Sequence, residues 1–251
     1  MIFQGSSSAC RAQSKQALDR SRFAEWAIHD VKDWVATSSL KRLKHTAISV
    51  ALLAPLTLID ERISDHTDRA DGYYGDFLNV ANEFGGPNAV WIPVGLFSAS
   101  LMTKNERFQD AAFTSLQATV YAYFITVAGK RVFVGRSRPY EEMGPHEFQF
   151  FSNNNSSFPS GHATTAWAIV TPWMFYYPHP ITYSLALIAG GTAMSRMQRH
   201  QHWMTDVVAG SALGFMTGYW LSNKHQQNGQ RLTVSVSPGL SSSSATISIS
   251  F

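Results

Sequence analysis

The chain has 251 residues, with 20 Lys and Arg against 17 Asp and Glu and a formal net charge of +3. That length accommodates one domain with a sizeable core, and so mild a charge excludes a general nucleic-acid-binding surface. Cys10 is the single cysteine, so no internal disulfide can form. Apolar residues make up 45% and charged residues 15%, yet mean hydropathy is only −0.11. This balance predicts a helical body that is compact or shallowly embedded in a membrane.

Residues 1–22 are polar and lack an apolar core of signal-peptide length. They are expected to be disordered or processed, and Ser8-Ala9-Cys10 resembles the end of an export signal. Phe23, Trp26, Ala27, Val31 and Trp34 recur at three- and four-residue spacing, which predicts an amphipathic helix over 23–36. A second helix is predicted over Thr46–Ile59. Asp60 to Gly75 is rich in aspartate (60, 65, 68 and 71, with Asp76 just beyond) and reads as a solvated loop. Its spacing fits no calcium-loop pattern. Phe84-Gly85-Gly86-Pro87 reads as a turn, followed by an apolar helix over Ala89–Met102.

Ala111 to Gly129 is a long uncharged helical stretch that ends in Lys130, Arg131, Arg136 and Arg138. Tyr140 to Ser157 is a polar, asparagine-rich loop, a natural rim for a substrate entrance. Ala163–Tyr177 and Ile181–Met194 read as an apolar helical hairpin about Pro178-His179-Pro180, and no Lys, Arg, Asp or Glu occurs between Gln149 and Ser195. A last helix is predicted over His202–Leu221, with Gly210, Gly214 and Gly218 permitting close packing. Two alternating segments near the C-terminus predict a hairpin joined by Pro238-Gly239.

Three blocks carry the chemistry. Pro159-Ser160-Gly161-His162 precedes an apolar helix. Ser160 suits its N-cap, and the free N–H groups at that end suit an anion such as phosphate. Upstream stand Lys130, Arg131, Arg136 and Arg138. Downstream stand Ser195, Arg196, His202 and Asp206. On a helix, His202 and Asp206 would share a face, so the carboxylate could hold the imidazole. Fixed cations, a poised histidine and a second histidine suit phosphoryl transfer through a covalent histidine intermediate.

Order and spacing of these blocks resemble the signature of the type-2 phosphatidic acid phosphatase and vanadium haloperoxidase superfamily. That signature is a basic residue, six others and Arg-Pro; then Pro-Ser-Gly-His; then Ser-Arg, five others, His, three others and Asp. It falls on Arg131, Arg138 and Pro139, on Pro159–His162, and on Ser195, Arg196, His202 and Asp206, within residues 110–221. The family usually has lysine where the spacing gives Arg131; Lys130 is adjacent and one residue out of register.

The resemblance implies His202 as nucleophile, Asp206 as its support and His162 as acid and base. It implies phosphate binding by Arg131 (or Lys130), Arg138, Ser160, Gly161 and Arg196. His200 lies outside the pattern.

The expected fold is an all-α bundle of about six helices over 23–224, with the site at one end. Residues 225–251 form a tail with a β-hairpin. The expected function is metal-independent hydrolysis of a phosphomonoester, on a lipid such as phosphatidic acid, an isoprenyl phosphate or a lipid A phosphate. No cofactor is expected, with vanadate as an inhibitor. The implied partners are a phosphate-bearing small molecule or lipid and a membrane of the cell envelope, not nucleic acid. The alternatives are a soluble-type acid phosphatase, a haloperoxidase holding vanadate as cofactor, and a non-catalytic envelope protein.

Overall fold

Ala, Gly, Ser and Thr interspersed among apolar residues let helices approach closely, and that packing governs the fold. The computed structural model describes residues 21–36, 53–67, 72–130, 135–148, 156–229, 232–238 and 243–249. The chain divides into two units, Met1–Val50 and Ala51–Phe251. In the first, helix α1 (Ser21–Ala36) buries Phe23, Trp26 and Asp30, while Ile28, Val31 and Trp34 are exposed. The buried stripe thus follows 23, 26 and 30, and only part of the apolar set predicted from the sequence lies on it.

In the second unit a 3-10 turn, Ala54–Ile59, leads into α2 (Asp60–Asp65), and α3 covers Gly72–Glu83. The solvated loop expected over 60–75 is therefore partly helical. Asp65 and Asp76 are exposed as expected, but Asp60 is fully buried. The reason is a set of buried donors that meet its carboxylate, described below. Residues 46–52 of the second predicted helix, and Asp68 and Asp71, lie outside the described residues.

Helix α4 (Trp91–Ser100) follows a 3-10 turn at Pro87–Val90. Helix α5 runs Glu106–Ala128, beginning earlier than predicted because the Asn105 side chain accepts the Phe108 N–H at its start. Then come α6 (Gly161–Tyr176), the short α7 (Pro180–Tyr183), α8 (Leu185–Gln198) and α9 (Met204–Gly229). The last helix passes the boundary expected at 224/225. Beyond it, Leu232–Pro238 (β1) pairs antiparallel with Ser243–Ile249 (β2). The helices make the body of the fold all-α.

Helix α6 is the centre of the bundle and packs on α5, α8 and α9; α9 also packs on α5, and α8 on α3. Two glycines of α9 set its approach to α6. A Cβ on Gly210 would stand 2.5 Å from the Ser160 carbonyl oxygen, and one on Gly214 would meet the backbone of Thr164 and Ala168. Side-chain hydroxyls join or lie along the helices: Ser115 donates to the Ile169 carbonyl at 2.7 Å, and Thr164 donates to the Ser160 carbonyl at 2.8 Å.

Gly210 therefore positions the segment that begins α6. Gly210→Ala is expected to cost about 1–3 kcal/mol of stability through overpacking. It should also lower any activity of the Ser160–His162 segment. Thermal unfolding and a turnover assay read the two effects; an unchanged melting temperature would contradict the packing.

Candidate active site

The three sequence blocks meet at one end of the bundle. Ser160 occupies the N-cap position of α6, and its N–H donates to the Asp206 carbonyl at 2.9 Å. Its hydroxyl makes no capping bond. That Oγ is buried without a hydrogen-bond partner, as is Arg196 Nε. The capping role expected for this side chain is corrected: its backbone is anchored and its hydroxyl stays available to a ligand. Unpartnered buried donors are costly, so their presence at one place marks a site.

His202 is not on the last helix. It lies in the turn before α9, and Asp206 sits in the first turn of α9. The shared helical face expected for the pair is corrected. The Asp206 carboxylate folds back on its own turn, where Oδ2 accepts the Trp203 N–H at 2.9 Å. This brings it beside the preceding imidazole, with His202 Nδ1 3.6 Å from Asp206 Oδ2. That separation is just beyond hydrogen-bond length, and Nδ1 has no partner within it. Burial, opposed by Asp206 and aided by Lys130 and Arg138, holds the His202 pKa down at about 4. Its imidazole is thus neutral at neutral pH, the form a nucleophile needs.

The other basic groups surround this pair. Arg138 Nη1 donates to the Gln201 carbonyl at 2.9 Å and to Gln201 Oε1 at 3.3 Å. Arg196 Nη1 donates to Asn82 Oδ1 at 3.1 Å. Lys130 Nζ donates to the Ser156 carbonyl at 3.1 Å. Arg131 lies outside the described residues, whereas Lys130 is among the groups that act electrostatically on both histidines. The His162 pKa is held at about 3 by burial first, then by Arg196, His202, Lys130 and Arg138. Several cations close together disfavour a further positive charge.

Sequence reasoning missed two residues here. By sequence, Arg136 is one member of a basic cluster and Asp60 lies in a solvated loop. Arg136 Nη1 lies 2.6 Å from Asp206 Oδ1, and Nη2 lies 2.8 Å from Asp60 Oδ2. The only sequence signal for Arg136 was its place two residues before Arg138; nothing local marked Asp60. His200 is outside the cluster, its Nδ1 3.2 Å from the Ser64 hydroxyl.

A cavity of about 570 Å³ opens beside the cluster. Lys130, Gly161 and His162 line one part of it, and Val90, Val120, Tyr123, Phe124 and Val127 are among its apolar walls. Thr126 also lines it and carries a buried hydroxyl without a partner.

The sequence of residues 111–230 matches the PAP2 superfamily model. This segment belongs to the PAP2 superfamily. All three blocks, from Arg131 to Asp206, lie within the PAP2 segment, whereas Asp60 precedes it. Among similar curated proteins, the lipid A 1-phosphatase of Porphyromonas gingivalis is 38% identical over 74 residues, covering 27% of this chain and 17% of that protein. The lipid A 1-phosphatase of Rhizobium johnstonii is 36% identical over 87 residues, covering 32% of this chain and 34% of that protein. The matches thus span at most about a third of these relatives.

Two solved structures are similar. The transmembrane PAP2-type phosphatidylglycerolphosphate phosphatase from Bacillus subtilis has a TM-score of 0.49 and 16% identity, over 82% of this chain and 97% of that one. Aquifex aeolicus LpxE has a TM-score of 0.47 and 17% identity, over 66% of this chain and 95% of that one.

Lys130 gives the site a pH signature. Burial first, then Arg138 and Arg196, lower its pKa to about 8, with Asp206 opposing. The ammonium is charged below that pH and neutral above it. Binding of an anion by the free protein should therefore weaken as pH rises through about 8, well below the ordinary lysine value. Lys130→Arg should remove this alkaline limb. Phosphate affinity or kcat/KM measured against pH checks both; a limb unchanged in the variant would assign it to another group.

Proposed function

We propose that this protein is a metal-independent phosphatase acting on a lipid phosphomonoester through a phosphohistidine intermediate. The observation that carries the reading is the cavity, in which Lys130, His162 and the unpartnered Thr126 hydroxyl stand beside an apolar wall. Such a surface suits a ligand with an anionic head and a hydrocarbon tail. The exposed aromatic residues Trp91, Tyr123 and Phe124, near the cavity, suit a membrane interface. Helix α5 is long and apolar enough by composition to cross a membrane, with 56% of its apolar window buried within the protein. The names of the curated relatives, lipid A 1-phosphatases, favour the same substrate class.

The chain's own groups suffice for the chemistry. Lys130, Arg138, Arg196, the Ser160 hydroxyl and the Gly161 N–H hold the phosphoryl oxygens, and Arg131 is proposed to join them. His202 Nε2, the nitrogen turned from Asp206, attacks phosphorus as the P–O bond to the leaving group breaks. Asp206 stabilises the imidazolium that forms. His162 protonates the leaving oxygen. A bound phosphate dianion offsets the cations that depress the His162 pKa, so substrate itself favours the protonated acid. Water then attacks the phosphohistidine, His162 takes its proton, and phosphate leaves. The cations stabilise the charge of both transition states, the part a metal would otherwise play.

Phosphate release in EDTA, from a micellar lipid phosphate and from a small soluble phosphomonoester, tests the reading. The lipid should be preferred, and His202→Ala should reduce release by about 10³-fold or more. Preference for the soluble ester would favour an acid phosphatase of broad specificity. Activity lost in EDTA and restored by a divalent ion would overturn the metal-free mechanism. Val120→Phe, which fills the apolar part of the cavity, should raise KM for the lipid more than for the soluble ester. Equal changes would remove the cavity as the path of the tail.

A further inference from the structure

We propose that Asp60 and Arg136 are a positioning pair for the active site, holding the Asp206 carboxylate and through it the His202 ring. The chemistry served is that of the phosphatase reading above, but the placement is argued from geometry alone. Arg136, Asp60 and Asp206 are each no more than 2% exposed. Arg136 directs its donors inward: Nε to the Pro145 carbonyl at 2.8 Å, Nη1 to Thr205 Oγ1 at 2.7 Å and to Asp206 Oδ1 at 2.6 Å, Nη2 to Asp60 Oδ2 at 2.8 Å. With its guanidinium so engaged, it is unlike Arg196, whose Nε is unpartnered. Arg136 is built to hold protein groups, not phosphate.

Asp60 closes the network. Its Oδ1 accepts the Thr205 N–H at 2.9 Å, and its Oδ2 accepts the Thr205 hydroxyl. That places its charge at the N-terminus of α9, where the helix dipole favours an anion. Asp206 is then fixed at both oxygens, Oδ1 by Arg136 and Oδ2 by the Trp203 N–H, and its remaining open side faces His202 Nδ1.

Two buried carboxylates share one guanidinium in this arrangement. Buried ion pairs seldom repay their desolvation in stability, so a gain in stability is a poor reason for the network. Fixing the group beside the nucleophile is a better one, since small misplacements in an active site are costly. Asp60 also lies ahead of the PAP2 segment that begins at residue 111. The preceding part of the chain, which also supplies Asn82 to Arg196 and Val90 to the cavity wall, thus contributes to the site.

The test uses the full chain with Asp60→Asn, which keeps the shape and removes the charge. Turnover should fall about 10- to 100-fold, with KM within about twofold. In an Asp206→Asn background, adding Asp60→Asn should change kcat less than about twofold, because its effect passes through Asp206. Independent, multiplicative losses would overturn the proposal. If Asp60→Asn does not fold, Thr205→Val breaks the same bridge and is expected to behave alike.

A second readout needs no turnover. The charged groups acting on His202 are Asp206, Lys130 and Arg138, and His162 is a titratable neighbour coupled to it. Asp60→Asn loosens the first of these, so the His202 imidazole, followed by NMR, should titrate at lower pH than in the parent chain. An unmoved titration would overturn the proposal. A parent chain that releases no phosphate would overturn the phosphatase reading instead, and the His202 titration would still decide the role of the pair.

Discussion

Everything at the functional end of this bundle depends on holding like charges together. Burial and mutual repulsion lower the pKa of Lys130 and of Arg196, and Arg138 contributes to both shifts. Lys130 leans on the Ser156 carbonyl, and Arg196 on the amide oxygens of Asn82 and Gln201. Those oxygens orient the cations without neutralising them. The fold therefore carries an electrostatic cost, which a dianion bound among these groups would relieve. Preorganisation of this kind stabilises developing negative charge without rearrangement at the moment of reaction.

The carboxylates divide the positive charge into two groups. Arg136 is engaged by Asp60 and Asp206, on the inner side of the His202 turn. Lys130, by contrast, reaches the cavity beside Gly161 and His162. Had Asp206 faced the cavity directly, it would have repelled an anionic ligand. Its attachment to Arg136 and to the Trp203 N–H turns it inward, so on the proposed reading His202 would stand between a bound phosphate and the carboxylate.

The sequence made the site's members legible because the blocks combine residue types that seldom coincide by chance. Order and spacing alone group Ser160, His162, Arg138, Arg196, His202 and Asp206. What failed was local. A four-residue separation of His202 and Asp206 reads as one helical face, yet the helix begins only at Met204, and the pair meets by the carboxylate folding back over its own N-terminal turn. Asp60 failed for a different reason. An aspartate in an aspartate-rich stretch is solvated unless a distant partner buries it, and its partners stand 76 and 145 residues away. No local pattern encodes such a partner.

The same long-range logic accounts for a composition that looked contradictory. A mean hydropathy of −0.11 suggests few apolar residues to bury, yet α6 and α8 run through the bundle without a charged residue until Arg196. The buried faces are made largely of Ala, Gly, Ser and Thr, which score as polar or weakly apolar. The hydroxyls of Thr164, Thr171 and Ser222 donate to carbonyls four residues back in their own helices, so they enter the core already satisfied. Glycines at 210 and 214 then let α9 lie against the backbone of α6. Close packing of small residues takes the place of bulk hydrophobic burial. It also fixes the spacing between the strand of chain that carries Ser160 and the turn that carries His202, which a looser, greasier core would leave to vary.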